Sequence, residues 1–156
     1  MTKFKIAFVA LSIAWAVTLP VAAFAASRPR PDSTAWGDAF AFIVYDIGRL
    51  ICHQRPERSF FPFGAQLPVC ARCAGIYGGA ALMAVVALAW AHSPRRADVA
   101  RRVLLAAAVP TVLTLVYEWS SGQTPGHWIR AVSGAPLGAA VTWIVCAAAS
   151  ARRGVM

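Results

Sequence analysis

Charged residues are scarce in this chain of 156 residues. Asp, Glu, Lys and Arg make up 13% of it, about half of the ~25% that soluble domains usually carry. Residues of hydrophobic type make up 59%, and they fall in long uncharged runs. The deficit of charge argues against an ordinary soluble domain and predicts a small integral membrane protein with one domain.

Several familiar site patterns are also missing. The sequence contains no nucleophile triad pattern, no phosphate-binding loop and no haem-attachment motif. The net charge is +9, but the arginines stand between apolar runs and form no face interleaved with aromatic residues. Membrane topology explains such arginines better than nucleic acid does. We therefore expect no nucleic-acid partner, and the sequence leaves open whether the protein is an enzyme.

The apolar runs predict an all-α bundle of three or four transmembrane helices plus one interfacial helix. Residues 1–26 have a basic start, an apolar run and a small-x-small end, so they form either a first spanning helix or a signal peptide cleaved after Ala25. A linker is expected over residues 27–38 and a membrane domain over residues 39–156. Within that domain we predict an interfacial helix over 39–52 and spans near 74–91, 103–119 and 131–149.

Three short basic clusters predict the orientation of these helices. The N-terminal lysines, the arginines of the loop 92–102 and the arginines at 152–153 all lie in the cytoplasm if the chain starts there. We expect a bacterial inner-membrane protein with both termini inside, and membrane lipid as a partner. Small residues four apart at the outer ends of two spans predict close helix packing, within the chain or between subunits. These residues are Gly75, Gly79, Gly134 and Gly138.

A Cys-His pair and a Cys-x2-Cys pair, separated by a 16-residue gap, form the most informative pattern in the sequence. Three cysteines and one histidine satisfy tetrahedral zinc, and a two-residue spacer lets both thiolates reach one ion. Thiolates also suit copper. We therefore predict an outward-facing site for zinc or copper. Its ligands would be Cys52, His53, Cys70 and Cys73.

Two alternatives remain open at this point. The Cys-x2-Cys spacing is also that of an exchangeable disulfide, which would make the protein a thiol–disulfide oxidoreductase coupled to a membrane quinone. Two of the cysteines could instead form a permanent disulfide in an accessory membrane subunit. The fourth cysteine, Cys146, stands apart and is predicted to be a packing residue.

Polar residues near the same end of the predicted spans are expected to surround the site. They would orient the ligands or bind an anion such as a lipid headgroup, a quinone or a carboxylate. These residues are Arg55, Arg58, Arg72, Glu118, Gln123, His127 and Arg130.

Two blocks of the sequence resemble a known family. Residues 52–60 read CHQRPERSF and residues 68–79 read PVCARCAGIYGG, which resembles the signature of the small predicted membrane proteins called domain of unknown function 2085. The polar segment 118–134 is similar to a second, looser block of that family. The resemblance covers residues 45–138 and implies a membrane location, but it implies no mechanism.

Overall fold

The computed structural model describes residues 3–29, 34–89 and 97–151. These residues form five α-helices and two single-turn 3-10 helices, without any strand. The all-α fold class predicted from the sequence is confirmed, and four of the helices are long and apolar enough to cross a membrane. The helices are α1 (Lys3–Ala26), α2 (Ala35–Ile51), α3 (Ala71–Ala89), α4 (Ala97–Ser121) and α5 (His127–Ala151).

Helix α3 lies at the centre of the bundle, where it packs against α5 and α1. A Cβ atom added to Gly75 would come within 1.9 Å of the Ala131 carbonyl oxygen, and one on Gly138 within 1.8 Å of the Ile76 carbonyl oxygen. The register shows that α3 and α5 run parallel with their backbones in contact. Gly79 and Gly134 approach Ala135 and Arg72 in the same way. The N-terminal ends of α3 and α5 are therefore neighbours.

Helix α2 begins at Ala35, four residues before the predicted start at 39. Thr34 caps the helix, because its Oγ1 accepts a hydrogen bond from the backbone N–H of Gly37 at 3.1 Å. The linker predicted over 27–38 is correspondingly shorter, and its residues 30–33 lie outside the described part.

The other helices also extend beyond the predicted spans. Helices α3, α4 and α5 start three, six and four residues earlier than expected, because helical hydrogen bonding continues past the apolar run that must lie in hydrocarbon. The last two residues of the span predicted near 74–91 lie outside the described part. The basic residues 152–153 lie outside it as well.

Helix α2 buries only a narrow stripe of small residues, which includes Ala41, Val44 and Gly48. Its large apolar side chains are exposed, among them Trp36, Phe42, Ile43 and Leu50. An exposed apolar face of this kind suits the boundary between headgroups and acyl chains. The interfacial position of α2 stays a prediction.

Helix α1 packs into the bundle beside the cysteines. Leu19, Ala22 and Ala23 share one buried cluster with Cys52 and Cys70. Removing this helix would uncover that cluster. The choice between a retained helix and a cleaved signal peptide stays a prediction.

Candidate metal centre and its arginine-rich neighbour

Three of the four predicted ligands meet in space. The Sγ atoms of Cys52, Cys70 and Cys73 all lie within 4.8 Å of one another. Cys52 and Cys70 are buried, and Cys73 is partly buried. All four cysteines of the chain are free thiols.

Two helix ends bring these sulfurs together. Cys52 caps the C-terminus of α2, and its N–H donates to the Gly48 carbonyl at 2.9 Å. Cys70 immediately precedes α3, and Cys73 lies in the first turn of that helix. Residues three apart lie on one side of a helix, so the Cys-x2-Cys spacing turns both thiols towards Cys52. The positive end of the α3 dipole stabilises thiolates at this position.

A glutamine holds the two helix ends in register. The Gln54 side-chain amide donates to the Tyr45 carbonyl at 2.7 Å and to the Pro68 carbonyl at 2.6 Å. Gln66 donates in turn to the Gln54 carbonyl at 2.6 Å. These bonds tie α2 to the segment that precedes α3. Sequence analysis gave Gln54 no role, although it stands inside the CHQRPERSF block.

Hydrogen bonds also distinguish the Cys52 thiol from the Cys70 thiol. The backbone N–H of Cys70 donates to Cys52 Sγ at 3.2 Å. Hydrogen bonds from the thiols of Cys70 and Cys73 lower the pKa of Cys52. The bond that the Cys70 thiol gives to Cys52 raises the pKa of Cys70. The thiolate is the form of cysteine that binds metal.

His53 does not join the three cysteines. Its side chain is exposed, and its Nδ1 accepts a hydrogen bond from the backbone N–H of Arg55 at 3.1 Å. The reason lies in the backbone at Cys52, which is extended with φ −148° and ψ 143°. Successive side chains of an extended chain point to opposite faces. With Cys52 turned into the cluster, His53 is turned away from it.

A second polar group lies beside α4 and α5. Glu118 is almost fully buried and accepts a hydrogen bond from Arg72 Nη2 at 2.5 Å. Arg58 Nη1 lies 3.7 Å from its other oxygen, and Arg130 Nε lies 3.5 Å from the oxygen that Arg72 contacts. We call these four residues the Glu118 cluster. Thr114, which sequence analysis missed, accepts a further hydrogen bond from Arg72 at 3.2 Å.

Three other residues predicted to surround the site lie outside both groups. Arg55 is exposed and stands 3.9 Å from the exposed carboxylate of Glu57. Gln123 is exposed in the turn between α4 and α5. His127 places its Nε2 3.2 Å from the Glu57 carbonyl oxygen and packs its ring against Phe60.

The cysteine group and the Glu118 cluster are neighbours across the start of α3. Arg72 stands between Cys70 and Cys73 in sequence but turns to α4, where it contacts Glu118. Arg130 and Cys70 lie close enough to interact electrostatically. The N-terminal end of α3 thus contributes to both groups.

An apolar groove of about 740 Å³ opens between α1, α3 and α5. Leu19 and Leu67 line it, and both also pack in the buried cluster that contains Cys52 and Cys70. Phe60 and Trp128 border the same groove. The groove therefore adjoins the buried cluster that contains the cysteines.

Comparison with known proteins places the chain in a family. Residues 52–144 match the family model described as "Predicted membrane protein (DUF2085)". This segment contains the three clustered cysteines and all four residues of the Glu118 cluster.

Two relatives come from archaea. The chain is 61% identical over 36 residues to an uncharacterised protein of Methanocaldococcus jannaschii, a match that covers 23% of either chain. It is 59% identical over 32 residues to an uncharacterised protein of Methanothermobacter thermautotrophicus, covering 20% of this chain and 29% of the relative. The chain thus matches about a quarter of the length of these relatives. The bacterial inner membrane and the orientation expected from the sequence stay predictions.

No solved structure matches the chain. The family match nevertheless spans more than half of the 156 residues, and it agrees with the four candidate spans. The chain is therefore a multi-pass membrane protein that belongs to the family of predicted membrane proteins called domain of unknown function 2085.

Proposed function

We propose that this chain is a membrane metal-binding protein in which Cys52, Cys70 and Cys73 hold one zinc or copper ion. The observation that carries the proposal is the convergence of three free sulfurs within 4.8 Å. Zinc–sulfur bonds of about 2.3 Å place two sulfurs of a tetrahedral site about 3.8 Å apart. The sulfurs therefore need to move by no more than about 1 Å to share an ion.

The ligand set determines which ions fit. Thiolates favour soft ions such as copper(I) and zinc over magnesium or calcium. Three protein ligands on zinc leave a fourth position for water or another exogenous ligand, as in catalytic zinc sites. Apolar side chains around the cysteines, including Leu67 and Val69, limit access of water and strengthen the attraction between thiolate and cation.

Metal analysis of cysteine variants tests this proposal. We expect about one zinc or copper per chain in anaerobically purified wild-type protein, and its loss in Cys70→Ser and Cys73→Ser. Cys146→Ser is the matched control, because Cys146 is a buried free thiol in a separate apolar cluster. It should retain the metal.

The number of free and disulfide-bridged cysteines provides the result that could overturn the metal proposal. Mass spectrometry after thiol alkylation, on the same preparation, counts free and bridged cysteines. Metal-free protein with a Cys70–Cys73 or Cys52–Cys70 bridge would overturn the metal proposal. Loss of metal in Cys146→Ser to the same degree as in Cys73→Ser would mean that the substitutions act through folding.

The apolar groove favours a second candidate, a thiol oxidoreductase coupled to quinone. A groove of about 740 Å³ beside the cysteine core is large enough for the ring of a quinone. Two cysteine thiols would give two electrons and two protons to the quinone, so that a sulfur–sulfur bond forms and the quinone becomes a quinol. Quinol formation by the reduced, metal-free protein, abolished by Cys70→Ser and by Cys73→Ser, would favour this candidate over the metal site.

A further inference from the structure

The Glu118 cluster contains more positive than negative charge. Three guanidinium groups, those of Arg58, Arg72 and Arg130, surround one carboxylate, which leaves +3 − 1 = +2 within the cluster. Guanidinium groups stay charged in proteins, so loss of protons cannot remove this excess. A buried excess of charge is destabilising unless a counter-charge accompanies it.

The hydrogen bonds of the cluster are also incomplete. The side chain of Arg130 is 0% exposed, yet its Nε, Nη1 and Nη2 atoms have no hydrogen-bond partner among the described residues. The Nε atoms of Arg58 and Arg72 also lack a partner. Glu118 lies within ion-pair distance of Arg130 but accepts its hydrogen bond from Arg72. Five buried donors thus lack an acceptor, which is costly in a folded protein.

These free donors specify the kind of ligand that would complete the cluster. A tetrahedral oxyanion offers several acceptor oxygens, and the planar fork of guanidinium matches phosphate geometry. Its negative charge would also offset the excess of +2. The side chain of Arg58 is 28% exposed, so the cluster reaches the surface on that side. It lies at the ends of three candidate spans, α3, α4 and α5, and the ends of spans lie near the headgroups of a bilayer.

We propose that Arg58, Arg72 and Arg130 form a binding site for a phosphate-class oxyanion, either free phosphate or the phosphate of an anionic phospholipid. This site is distinct from the proposed metal centre and does not depend on it. The competing account is that thiolates provide the counter-charge, because Arg130 interacts electrostatically with Cys70. That account predicts no phosphate binding.

Binding of two phosphate probes tests the site. The full chain in detergent is dialysed against radiolabelled inorganic phosphate at constant ionic strength, and native mass spectrometry follows the binding of phosphatidylglycerol. We expect about one phosphate or one phospholipid per chain. Arg58→Met should weaken binding at least about tenfold, because it removes a charged fork from the ligand. Arg55→Met is the matched control, since Arg55 lies in the same loop but its side chain is 61% exposed and outside the cluster.

The outcomes separate the two sources and the competing account. Exchangeable binding of inorganic phosphate identifies the free anion, and binding of phospholipid without phosphate exchange identifies the headgroup. Failure of the wild type to bind either probe would overturn the proposal, as would equal weakening by Arg55→Met and Arg58→Met. If Arg58→Met does not fold, Arg58→Lys replaces it, because lysine keeps the charge and loses the bidentate fork. That variant should still weaken binding severalfold, and unchanged affinity would count against the site.

Discussion

The cysteine group and the Glu118 cluster lie at the same end of α3 but differ in the origin of their charge. The Cys52 sulfur accepts a hydrogen bond from the backbone N–H of Cys70, and the cysteines pack among apolar side chains of α1 and α2. They can be neutral, because a thiol carries no charge until it loses its proton. The arginines that pack against α4 and α5 are charged in every state. Only Glu118 stands against them within the cluster.

This difference has a consequence for ligands. A neutral thiol group is stable without a ligand, and it becomes negative when a cation displaces its protons. A cluster of guanidinium groups requires negative charge at all times. The first group is therefore suited to capture of a cation that displaces protons, whereas the second is suited to binding of an anion. Substitutions that remove the support of one group at a time test this contrast.

Removal of the Glu118 carboxylate should have the largest effect. Glu118→Gln leaves three guanidinium groups without their counter-charge, and we expect a loss of about 3–5 kcal/mol of stability. Glu57→Gln is the matched control, because its exposed pair with Arg55 is 3.9 Å long and such pairs contribute about 0–1 kcal/mol. Thermal or denaturant unfolding in detergent measures both. A loss below about 1 kcal/mol in Glu118→Gln would mean that another anion provides most of the counter-charge.

Removal of the Gln54 amide should affect the cysteine group. Gln54→Ala removes the hydrogen bonds that the side chain donates to the carbonyls of Tyr45 and Pro68, which should cost about 2–3 kcal/mol. It should also weaken metal binding by about 10- to 100-fold, the usual effect of losing a residue that orients metal ligands. Competition with a chelator measures the affinity. Gln123→Ala, an exposed glutamine, should change neither quantity, and equal effects of the two variants would contradict a positioning role for Gln54.

The fold was predictable because its signals are local. Apolar runs long enough to cross a bilayer mark α1, α3, α4 and α5, and the Cys-x2-Cys spacing marks the thiols. Adjacent residues usually point apart, but the sequence did not determine which of Cys52 and His53 faces the other cysteines, since that depends on the extended backbone at Cys52. A helical conformation at that position would have turned the two side chains differently.

The Glu118 cluster shows why the remaining contacts could not be read from the sequence. Its members come from the loop before α3 and from three different helices, and Glu118 stands 46 residues after Arg72. The residue types suggested an acid among arginines, but Arg55 and Arg58 are equivalent in the sequence. Contacts between elements far apart in the sequence place Arg58 beside Glu118 and bury Arg130 next to the same carboxylate.

A substitution at the contact between α3 and α5 should affect the Glu118 cluster more than the cysteine group. Of the three substitutions, it should have the smallest effect on stability. A Cβ atom on Gly79 would come within 2.1 Å of the Ala135 carbonyl oxygen, whereas one on Gly78 would meet nothing within 4 Å. Gly79→Ala should cost about 1–2 kcal/mol, because the two helices must shift apart, and Gly78→Ala should cost nothing. Arg72 and Arg130 lie on opposite sides of this contact, whereas the cysteines come from α2 and α3. Phosphate binding should consequently weaken more than metal binding in Gly79→Ala, and an equal loss of both would mean that the two groups behave as one unit.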